Sequence, residues 1–397
     1  MNQNTNKPNK ILVIGIGEDG LAGLDDFARL KIKTADVLVG GLRHLNFMPD
    51  FAGQILDWSL GIKATLDVLE NVGEKKIVVL ASGDPLYFGV GKNIIEKFGI
   101  ENVLVIPKPG AVTLTCAAMG WSQPDVQVVT VHGRALENLN LHLAPKVRLC
   151  VLSQDGTTPA AVAKLLCNQG YSNSQMTVFE HLGGPRQSQE ITKAKDWCKQ
   201  SSADLNSLAI ELVTDQTARP LSRVGGLPDD AFEHDGQLTK RAMRAVTIST
   251  LAPLAHEILW DFGGGAGSIS IEWMRAHTSC RAVAIERDPV RAKRIERNAH
   301  KLGVPKLSVV VADNAQALDQ LSGRPQAIFI GGGLSAANFI DRAFAMLSPG
   351  GRLVANAVTD KSRDILCELQ DRYGGEMMTV SLEGKFPVTQ ILIRKKL

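Results

Sequence analysis

Three glycines spaced two residues apart are the strongest candidates in this chain for holding a ligand. Gly263, Gly265 and Gly267 follow the apolar run 255–260 and precede a helix-like pattern over 269–274. Glycines let a turn approach a ligand without a side chain in the way, and the N-terminus of the next helix offers free N–H groups. This segment predicts a strand, a ligand-binding turn and a helix, with a simple tight turn as the alternative.

A carboxylate follows this turn at the separation that a nucleoside site requires. The run 282–285 predicts a second strand that ends in Glu286, roughly 20 residues beyond the turn, where a carboxylate can accept both hydroxyls of a ribose. A dinucleotide site would need its third glycine at position 268, which is Ser268. The pattern therefore favours a nucleoside cofactor other than a dinucleotide.

The elements beyond Glu286 continue in α/β order. A third strand over 307–312 ends in Asp313 and Asn314, a fourth over 327–330 runs into glycines, and a turn over 348–351 precedes a fifth strand. Together with the D-x-G-x-G-x-G form at 261–267, this order resembles the class I S-adenosylmethionine-dependent methyltransferases. The resemblance implies a Rossmann-like fold for this half.

The first half of the chain has a glycine turn of a different kind. Residues 11–14 predict a buried strand that runs into Gly15, Gly17 and Gly20, which formally satisfy G-x-G-x-x-G. The next strand, 37–39, ends in glycines, whereas a dinucleotide site needs an acidic residue there. We therefore interpret this turn as close backbone packing or as an approach by substrate.

Other strand ends in the first half are followed by glycine or polar residues. A strand over 77–81 runs into Ser82, Gly83 and Asp84, and a strand over 126–131 leads into His132. Ligands of α/β proteins bind at such loops, although a plain surface loop fits each one equally well. Spacing alone predicts an α/β domain with a cleft.

Longer motifs in the first half resemble the tetrapyrrole methylases of cobalamin synthesis. These motifs are GIGEDG (15–20), GGLRHL (40–45), LASGDPLYFGVG (80–91), VHGR (131–134) and VFEHLGGP (178–185). The second half, which opens with GLPDDAFEHDGQLTKRAMRA (226–245), resembles the decarboxylating corrin methyltransferase domain. The resemblance implies a tetrapyrrole methylase fold of two α/β subdomains with a cleft, followed by a Rossmann-like class I methyltransferase fold.

The resemblance also implies two S-adenosylmethionine sites, one in each domain. In the first domain the implied contacts are Ser82, Gly83, Asp84, Gly110 and Ala111. In the second domain they are Thr239, Gly263, Gly264, Gly265, Ala266, Gly267, Glu286, Asp313 and Asn314. Family members commonly carry Ser at position 110, Ala at 264 and Ser or Thr at 266. The change at Ala266 removes a hydroxyl and predicts a weaker contact to the methionine end of the cofactor.

The implied substrate is a macrocycle rimmed with carboxylates, so cations should line its entrance. The candidates are Arg43, His44, His132 and Arg134 in the first half and Lys240, Arg241 and Arg244 in the second. Residues 240–244 fit a solvated helix face equally well. No nucleophilic side chain is predicted, because a sulfonium already activates the methyl group that it carries. No metal site is predicted, because the cysteines show no ligand spacing with histidine.

The implied reaction is methylation of precorrin-6B at ring carbons 5 and 15, with decarboxylation of the ring C acetate to give precorrin-8X. The cobalt-bearing equivalent and another small-molecule acceptor are the alternatives. Amino-methylating enzymes usually carry N/D-P-P-Y/F where this chain has three glycines at 331–333, which counts against nucleic-acid and protein acceptors. The missing acid after 37–39 counts against a nicotinamide oxidoreductase, and a noncatalytic binding module would not need two cofactor sites.

Length and composition fit two soluble domains. The chain has 397 residues, of which 44% are hydrophobic and 21% charged. We predict a first domain over 10–213, a linker rich in proline and glycine over 214–228, and a second domain over 229–397. The net charge of +3 is too small to indicate a nucleic-acid partner.

Location and cysteine chemistry follow from what the sequence lacks. No apolar run is long enough to span a membrane, and the polar residues 1–10 lack the apolar core of a signal peptide, so we predict a cytoplasmic protein without a membrane partner. Its six cysteines form no C-x-x-C pair and predict buried free thiols. The family resemblance implies a homo-oligomer.

Overall fold

The chain forms two compact units. The computed structural model describes residues 11–334, 338–381 and 387–397, so residues 1–10 lie outside the described part. One unit comprises the residues up to Gly133 together with Pro145–Ala218, and the other comprises Arg134–Ala144 together with Arg219–Leu397. The division at 218–219 falls within the stretch 214–228 for which the sequence predicts a linker.

The segment Arg134–Ala144 belongs to the second unit by its contacts. It contains a 3₁₀ turn, Leu136–Leu141, in which Leu139 is fully buried. The amide of Asn140 donates to the carbonyl of Lys301 at 3.2 Å, and Leu141 packs against the core of the second unit. Nothing in the sequence predicts that this segment belongs to the second unit, because its contacts are with residues more than 150 positions away.

The first unit begins with a parallel five-stranded sheet. Its strands are β1 (Ile11–Ile16), β2 (Val37–Gly40), β3 (Gln54–Asp57), β4 (Ile77–Ser82) and β5 (Val103–Ile106), and its helices are α1 (Asp26–Lys33), α2 (Leu42–Leu45), α3 (Ile62–Glu70) and α4 (Gly91–Phe98). The order is β3-β2-β4-β1-β5. Ile16 lies opposite Ser82, so the loops after β1 and β4 leave the sheet side by side. The central strands β1 and β4 are buried on both faces, as expected for parallel strands covered by helices.

A mixed five-stranded sheet completes the first unit. Its strands are β6 (Val126–Thr130), β7 (Arg148–Leu152), β8 (Gln175–Glu180), β9 (Ser188–Lys193) and β10 (Asn206–Glu211), with helices α5 (Ala111–Met119) and α6 (Thr158–Asn168). The order is β6-β7-β10-β8-β9, in which only β6 and β7 are parallel. Helix α5 buries Val112 and Cys116 against β7 and ends at Gly120, whose φ of +65° suits glycine.

The second unit is built on a seven-stranded sheet. Its strands are β11 (Ile258–Phe262), β12 (Arg281–Glu286), β13 (Ser308–Val311), β14 (Ala327–Ile330), β15 (Arg352–Ala357), β16 (Glu376–Val380) and β17 (Val388–Arg394). Its helices are α7 (Arg241–Leu251), α8 (Ser268–Ala276), α9 (Pro289–Lys301), α10 (Asn314–Gln320), α11 (Phe339–Met346) and α12 (Asp360–Tyr373). The described residues also form 3₁₀ turns at Gly20–Gly23, Ile100–Asn102, Gln123–Asp125, Ala194–Asp196 and Asp229–Ala231.

The order of this sheet places a crevice beside β11. The order is β13-β12-β11-β14-β15-β17-β16, parallel from β13 to β15 and antiparallel at β17 and β16. The chain passes from β11 to one neighbour, β12, and later returns to the other, β14. Such a switch point opens a crevice at the carboxyl ends of the strands, where α/β proteins bind ligands. The predicted Rossmann-like fold is confirmed.

Two details differ from the sequence prediction. Strand β11 begins at Ile258 and not at 255, because Glu257 closes a turn on Leu254: its N–H donates to the Leu254 carbonyl at 3.3 Å, and its carboxylate accepts the Leu254 N–H at 2.9 Å. All six cysteines are free, but only three are buried: Cys167 is half-buried, and Cys198 and Cys367 are exposed. Cys367 follows the buried Leu366 on α12, and the next residue along a helix faces another direction. Among the described helices, none has the length and apolarity to cross a membrane.

Candidate functional site

The glycine turn of the second unit joins β11 to α8 at the switch point. Gly263, Gly265 and Gly267 all have positive φ, between +59° and +80°, which L side chains rarely adopt. The N–H groups of Gly263 and Gly264 both donate to the Ile285 carbonyl, at 3.0 and 2.9 Å. The turn is therefore anchored to the end of β12, and its conformation requires the glycines that the sequence supplies.

The glycines of this turn face different surroundings. A Cβ on Gly263 would lie 3.0 Å from the Gly332 nitrogen, and one on Gly267 would lie 2.7 Å from the side chain of Ile295. At Gly265 the nearest atom to a Cβ would be 3.8 Å away, at the Gln237 carbonyl. Gly265 is therefore the least crowded of the three, since a Cβ there would meet its neighbours only at ordinary contact distance.

Glu286 ends β12 directly beneath this turn. Its carboxylate accepts the N–H of Gly265 at 2.8 Å and the N–H of Asp288 at 3.1 Å, and the side chain is largely buried. The carboxylate therefore holds the turn in place while one edge faces the crevice. This arrangement suits a carboxylate that accepts ribose hydroxyls.

A cavity of about 690 Å³ opens at this edge of the sheet. The predicted cofactor residues that line it are Thr239, Gly263, Gly264, Gly265, Ala266, Glu286, Asp313 and Asn314. Gly267 does not line it, because it packs on Ile295 at the start of α8. Asn314 is fixed by a hydrogen bond from its amide to the Gly332 carbonyl at 3.0 Å. Residues predicted from four separate stretches of sequence thus surround one space.

Another carboxylate, Asp261, also lines the cavity, and the sequence prediction did not name it as a contact. Asp261 is the acidic residue of the D-x-G-x-G-x-G motif and accepts hydrogen bonds from the Ser270 N–H at 3.1 Å and the Ser270 hydroxyl at 2.6 Å. Complete burial raises the pKa of Asp261 to about 6, and the charge of Glu286 raises it as well, whereas the bonds from Ser270 lower it. With Glu286 and Asp313, the cavity wall therefore carries three carboxylates, which favour a cationic ligand.

Arg244 is not available to bind substrate, and this part of the cation prediction is wrong. Its side chain is 0% exposed, and its guanidinium donates to Glu272 at 2.9 Å, to Asp229 at 2.7 Å and to the carbonyls of Leu227 and Thr239. Every donor is directed at the protein because α7 packs on α8, which carries Glu272. Arg244 therefore anchors the segment before α7.

The neighbouring cations of α7 are exposed but have partners. Lys240 lies 3.7 Å from Asp229, and the Arg241 guanidinium donates to the Gly226 carbonyl at 2.9 Å. Arg287, directly after Glu286, lines the cavity and is exposed, and it makes no hydrogen bond or ion pair within the described part of the chain. The sequence prediction missed Arg287, although its place beside Glu286 was a signal.

In the first unit the predicted glycines pack against one another. A Cβ on Gly15 would lie 1.9 Å from the Gly83 carbonyl oxygen, and one on Gly83 would lie 2.4 Å from the Gly110 Cα. The Gly83 N–H donates to the Ile16 carbonyl at 3.1 Å. The interpretation of the first glycine turn as close backbone packing is confirmed at Gly15, and the loops that carry Gly83 and Gly110 meet.

Arg43 and His44 lie beside Ser82. Arg43 donates to the Ser82 hydroxyl at 2.7 Å and also pairs with Glu18, so its charge is already compensated. The His44 Nε2 lies 2.8 Å from the Arg43 guanidinium and 3.1 Å from Ser82. Burial and the Arg43 charge lower the pKa of His44 to about 4, so His44 is neutral at physiological pH. The two residues support Ser82, and Arg43 is no free anion ligand.

The remaining predicted residues of the first half lie at loop ends. The Asp84 carboxylate accepts the Leu86 N–H at 2.9 Å, and Ala111 begins α5 directly after Gly110. His132 is exposed, and its N–H donates to the Thr130 hydroxyl at 3.3 Å. Arg134 is exposed as well but belongs to the second unit. The proposed cation set of the first half is therefore divided between the two units.

The fold of the second unit is the Rossmann-like fold of class I methyltransferases. Comparison with known families agrees: the model of tetrapyrrole (corrin/porphyrin) methylases matches residues 10–197, and that of the precorrin methyltransferase domain matches residues 230–394. A precorrin-6Y C(5,15)-methyltransferase [decarboxylating] from a Sinorhizobium species is 41% identical over 380 residues, which are 95% of this chain and 92% of that protein. This chain belongs to the family of decarboxylating precorrin-6Y C(5,15)-methyltransferases.

Two shorter relatives come from one strain of Salmonella typhimurium, LT2. A cobalt-precorrin-7 C(5)-methyltransferase is 35% identical over 172 residues, 43% of this chain and 85% of that protein. A cobalt-precorrin-6B C(15)-methyltransferase (decarboxylating) is 31% identical over 126 residues, 32% of this chain and 64% of that protein. One of these separate proteins is named for carbon 5 and the other for carbon 15, whereas the name of the longer relative includes both positions.

Proposed function

We propose that this protein methylates precorrin-6B at ring carbons 5 and 15 and removes the carboxyl of the ring C acetate, giving precorrin-8X. The observation that carries the proposal is the match over 95% of the chain to a decarboxylating C(5,15)-methyltransferase. The cavity lined by Gly265 and Glu286 supplies the site at which one of the two transfers would take place.

The residues of the second unit fit S-adenosylmethionine. Gly265 lines the cavity without a side chain, so the cofactor can approach its backbone, and Glu286 suits the ribose. Asp313 and Asn314 border the space where the resemblance puts the adenine. The carboxylates Asp261 and Glu286 favour the positive charge of a sulfonium. When bound, the cofactor supplies an activated methyl group, so the protein mainly has to align a ring carbon with it.

A second cofactor site in the first unit is part of the proposal. Its residues would be Ser82, Gly83 and Asp84 after β4 and Gly110 with Ala111 at the start of α5. The contact of these two loops at Gly83 and Gly110 supports the proposal, since it brings the implied residues to one place. Arg43 and His44 would then fix the Ser82 hydroxyl for the cofactor.

The two units would divide the chemistry. We infer that transfer at carbon 5 takes place in the first unit and that transfer at carbon 15, with decarboxylation, takes place in the second. The separate Salmonella relatives support this division, because one is named for carbon 5 and the other for carbon 15 with decarboxylation. The ring itself accepts the electron pair left by carbon dioxide, so the protein needs only to desolvate the leaving carboxylate.

Cations at each site would bind the carboxylates of the anionic macrocycle. Exposed candidates are His132 in the first unit and Arg134, Lys240, Arg241 and Arg287 in the second. Arg287 has the strongest support among them, because it lines the cavity beside Glu286.

Mass spectrometry of the products of purified protein with precorrin-6B and S-adenosylmethionine tests the proposal directly. The expected product has gained two methyl groups and lost carbon dioxide. Cobalt-precorrin-6B, tested in parallel, distinguishes the metal-free substrate from its cobalt-bearing equivalent. A protein that binds S-adenosylhomocysteine but leaves both rings unchanged would contradict the proposed substrate, and a calorimetric stoichiometry of one would contradict the two-site model.

A further inference from the structure

A buried carboxylate joins the two sheets of the first unit. Glu18, in the loop after β1, is 7% exposed in its side chain and pairs with Arg43 from α2. On the other side its Oε2 atom lies 3.0 Å from Nδ1 of His181, in the loop after β8. Burial alone would raise the pKa of Glu18, but the hydrogen bonds from Arg43 and His181 outweigh that effect and lower it. Glu18 is therefore a charged acceptor aimed at an imidazole.

The backbone around His181 is fixed in an uncommon conformation. His181 has a φ of +46°, its N–H donates to the Leu205 carbonyl at 3.0 Å, and its carbonyl accepts the Gly184 N–H at 3.1 Å. A Cβ on Gly184 would lie 2.5 Å from the Glu18 Cβ, so the two loops are in close contact. A non-glycine residue with positive φ persists where surrounding contacts hold it, and such residues cluster at functional sites.

The pairing with Glu18 leaves the second nitrogen of the imidazole free. A carboxylate at Nδ1 holds the proton there and leaves Nε2 as a base, as in enzymes in which a carboxylate orients a histidine. Within the described residues no hydrogen bond to Nε2 is found, and the side chain is 19% exposed. His44, the other histidine of this cluster, is not equivalent, because its Nε2 already faces Arg43 and Ser82.

His181 lies close to the elements that carry the proposed cofactor residues. A Cβ on Gly183 would lie 3.1 Å from Leu114, one turn into α5, which begins next to Gly110. On the opposite side Glu18 pairs with Arg43, which donates to Ser82. The charged groups that face His181 are Glu18, Arg186, whose guanidinium is 3.4 Å from Nδ1, and Glu180 on β8.

When an unsaturated ring carbon that carries a hydrogen is methylated, that hydrogen must leave as a proton. The π electron pair of carbon 5 forms the bond to the methyl carbon, and the pair of the broken carbon–sulfur bond stays on sulfur as a thioether. The bond from carbon 5 to its hydrogen then breaks, its electron pair returns to the ring, and one proton leaves. A base beside carbon 5 accelerates that departure.

We propose that His181 accepts this proton at Nε2 in the first unit and that Glu18 is the positioning residue that orients the imidazole. The proposal rests on the proposed transfer at carbon 5. His181 becomes an imidazolium that the Glu18 carboxylate stabilises, and solvent then takes the proton from it. No further reactant is needed.

His181→Gly in the full-length protein is the sharpest test. Glycine adopts a φ of +46° without strain, so this change removes the imidazole and leaves the loop conformation favourable. Transfer at carbon 5 should slow about 100-fold or more, the usual contribution of a general base. Transfer at carbon 15 and carbon dioxide release should stay within about twofold, which serves as an internal control. Added imidazole should restore transfer at carbon 5, which it could not do if His181 were merely structural.

The controls separate this inference from the proposed function. His300→Ala removes an imidazole whose Nδ1 faces Glu137 at 3.4 Å in the second unit, and it should change neither transfer. Glu18→Gln should slow transfer at carbon 5 and leave carbon 15 unaffected. Undiminished transfer at carbon 5 in His181→Gly, or a loss that imidazole does not restore, would overturn the role of His181. A wild-type protein that methylates neither carbon would instead overturn the proposed function.

Discussion

The two glycine-built loop regions of this protein use the same residue type for different purposes. In the first unit a Cβ on Gly83 would lie 2.4 Å from the Gly110 Cα, so these glycines allow two loops to touch. In the second unit the nearest atom to a Cβ on Gly265 would be 3.8 Å away, so this glycine leaves room for a ligand. A glycine motif alone therefore does not distinguish backbone packing from a ligand cradle. Only the turn of the second unit has a carboxylate at the end of the next strand, Glu286, which accepts the Gly265 N–H at 2.8 Å.

The buried carboxylates of the two regions differ as well. Glu18 in the first unit pairs with Arg43 and faces His181, so its charge is compensated by the protein. Asp261 and Glu286 in the second unit accept hydrogen bonds from backbone N–H groups and the Ser270 hydroxyl, and their charges repel each other. The second region thus keeps negative charge for a cation, whereas the first uses it to hold its own side chains.

The largest expected effect is that of Gly265→Val on the second region. Valine would be strained at a φ of +59°, and its side chain would project into the space that we assign to the cofactor. Transfer at carbon 15 and carbon dioxide release should fail together, as product mass spectrometry would show, while transfer at carbon 5 continues. Gly323→Val, at a φ of +88° in open space, is the matched control and should retain both transfers. Carbon dioxide release by Gly265→Val would disprove the division of labour.

Asp84→Ala is the corresponding change in the first region. It removes the carboxylate that accepts the Leu86 N–H and opens the turn that meets Gly110. The expected product is a decarboxylated ring that lacks the methyl at carbon 5. Asp57→Ala removes a similar contact, to the Ser59 N–H at 2.9 Å, and should leave the product unchanged. Retention of the acetate carboxyl in Asp84→Ala would contradict the assignment of decarboxylation to the second unit.

Asp261 should make the stability of the second unit depend on pH. Its pKa is raised to about 6 by burial, so the folded unit holds a proton that the unfolded chain has lost. The stabilisation by that proton is complete below about pH 4, decreases as pH rises to about 6 and is lost above it; the total is on the order of 3 kcal/mol. Asp261→Asn should abolish this decrease in urea unfolding of the second unit. If the free energy of unfolding of Asp261→Asn falls with pH as steeply as that of the wild type, Asp261 is not the group responsible.

Glu286→Ala should produce the smallest of these effects. Loss of the ribose contact should weaken cofactor binding at the second site by roughly 1.5–3 kcal/mol, the range for hydrogen bonds to a charged group. Calorimetry with S-adenosylhomocysteine should show one weakened and one unchanged site. Glu296→Ala removes an exposed carboxylate from α9 and should weaken neither. A loss at both sites, or at neither, would show that Glu286 does not mark the second site.

Local patterns in the sequence were sufficient to predict most elements that carry the sites. The strand predicted over 327–330 has those bounds in the structure. Glu286 ends its strand as the spacing predicts, next to the Gly265 turn. These features follow from residues close in sequence, because glycine conformation and apolar periodicity act over a few positions.

The sequence by itself determined the strand, glycine turn and carboxylate of the second unit. Only the tertiary structure decided which charged side chains remain available to bind a ligand. Arg244 appears in the sequence as one cation among several, yet packing of α7 on α8 buries it against Glu272. Arg43 is neutralised by Glu18, which is 25 residues away, and Glu18 reaches His181 over 163 residues. The reason is physical: burial and ion pairing depend on distances in space, which the order of residues along the chain does not contain.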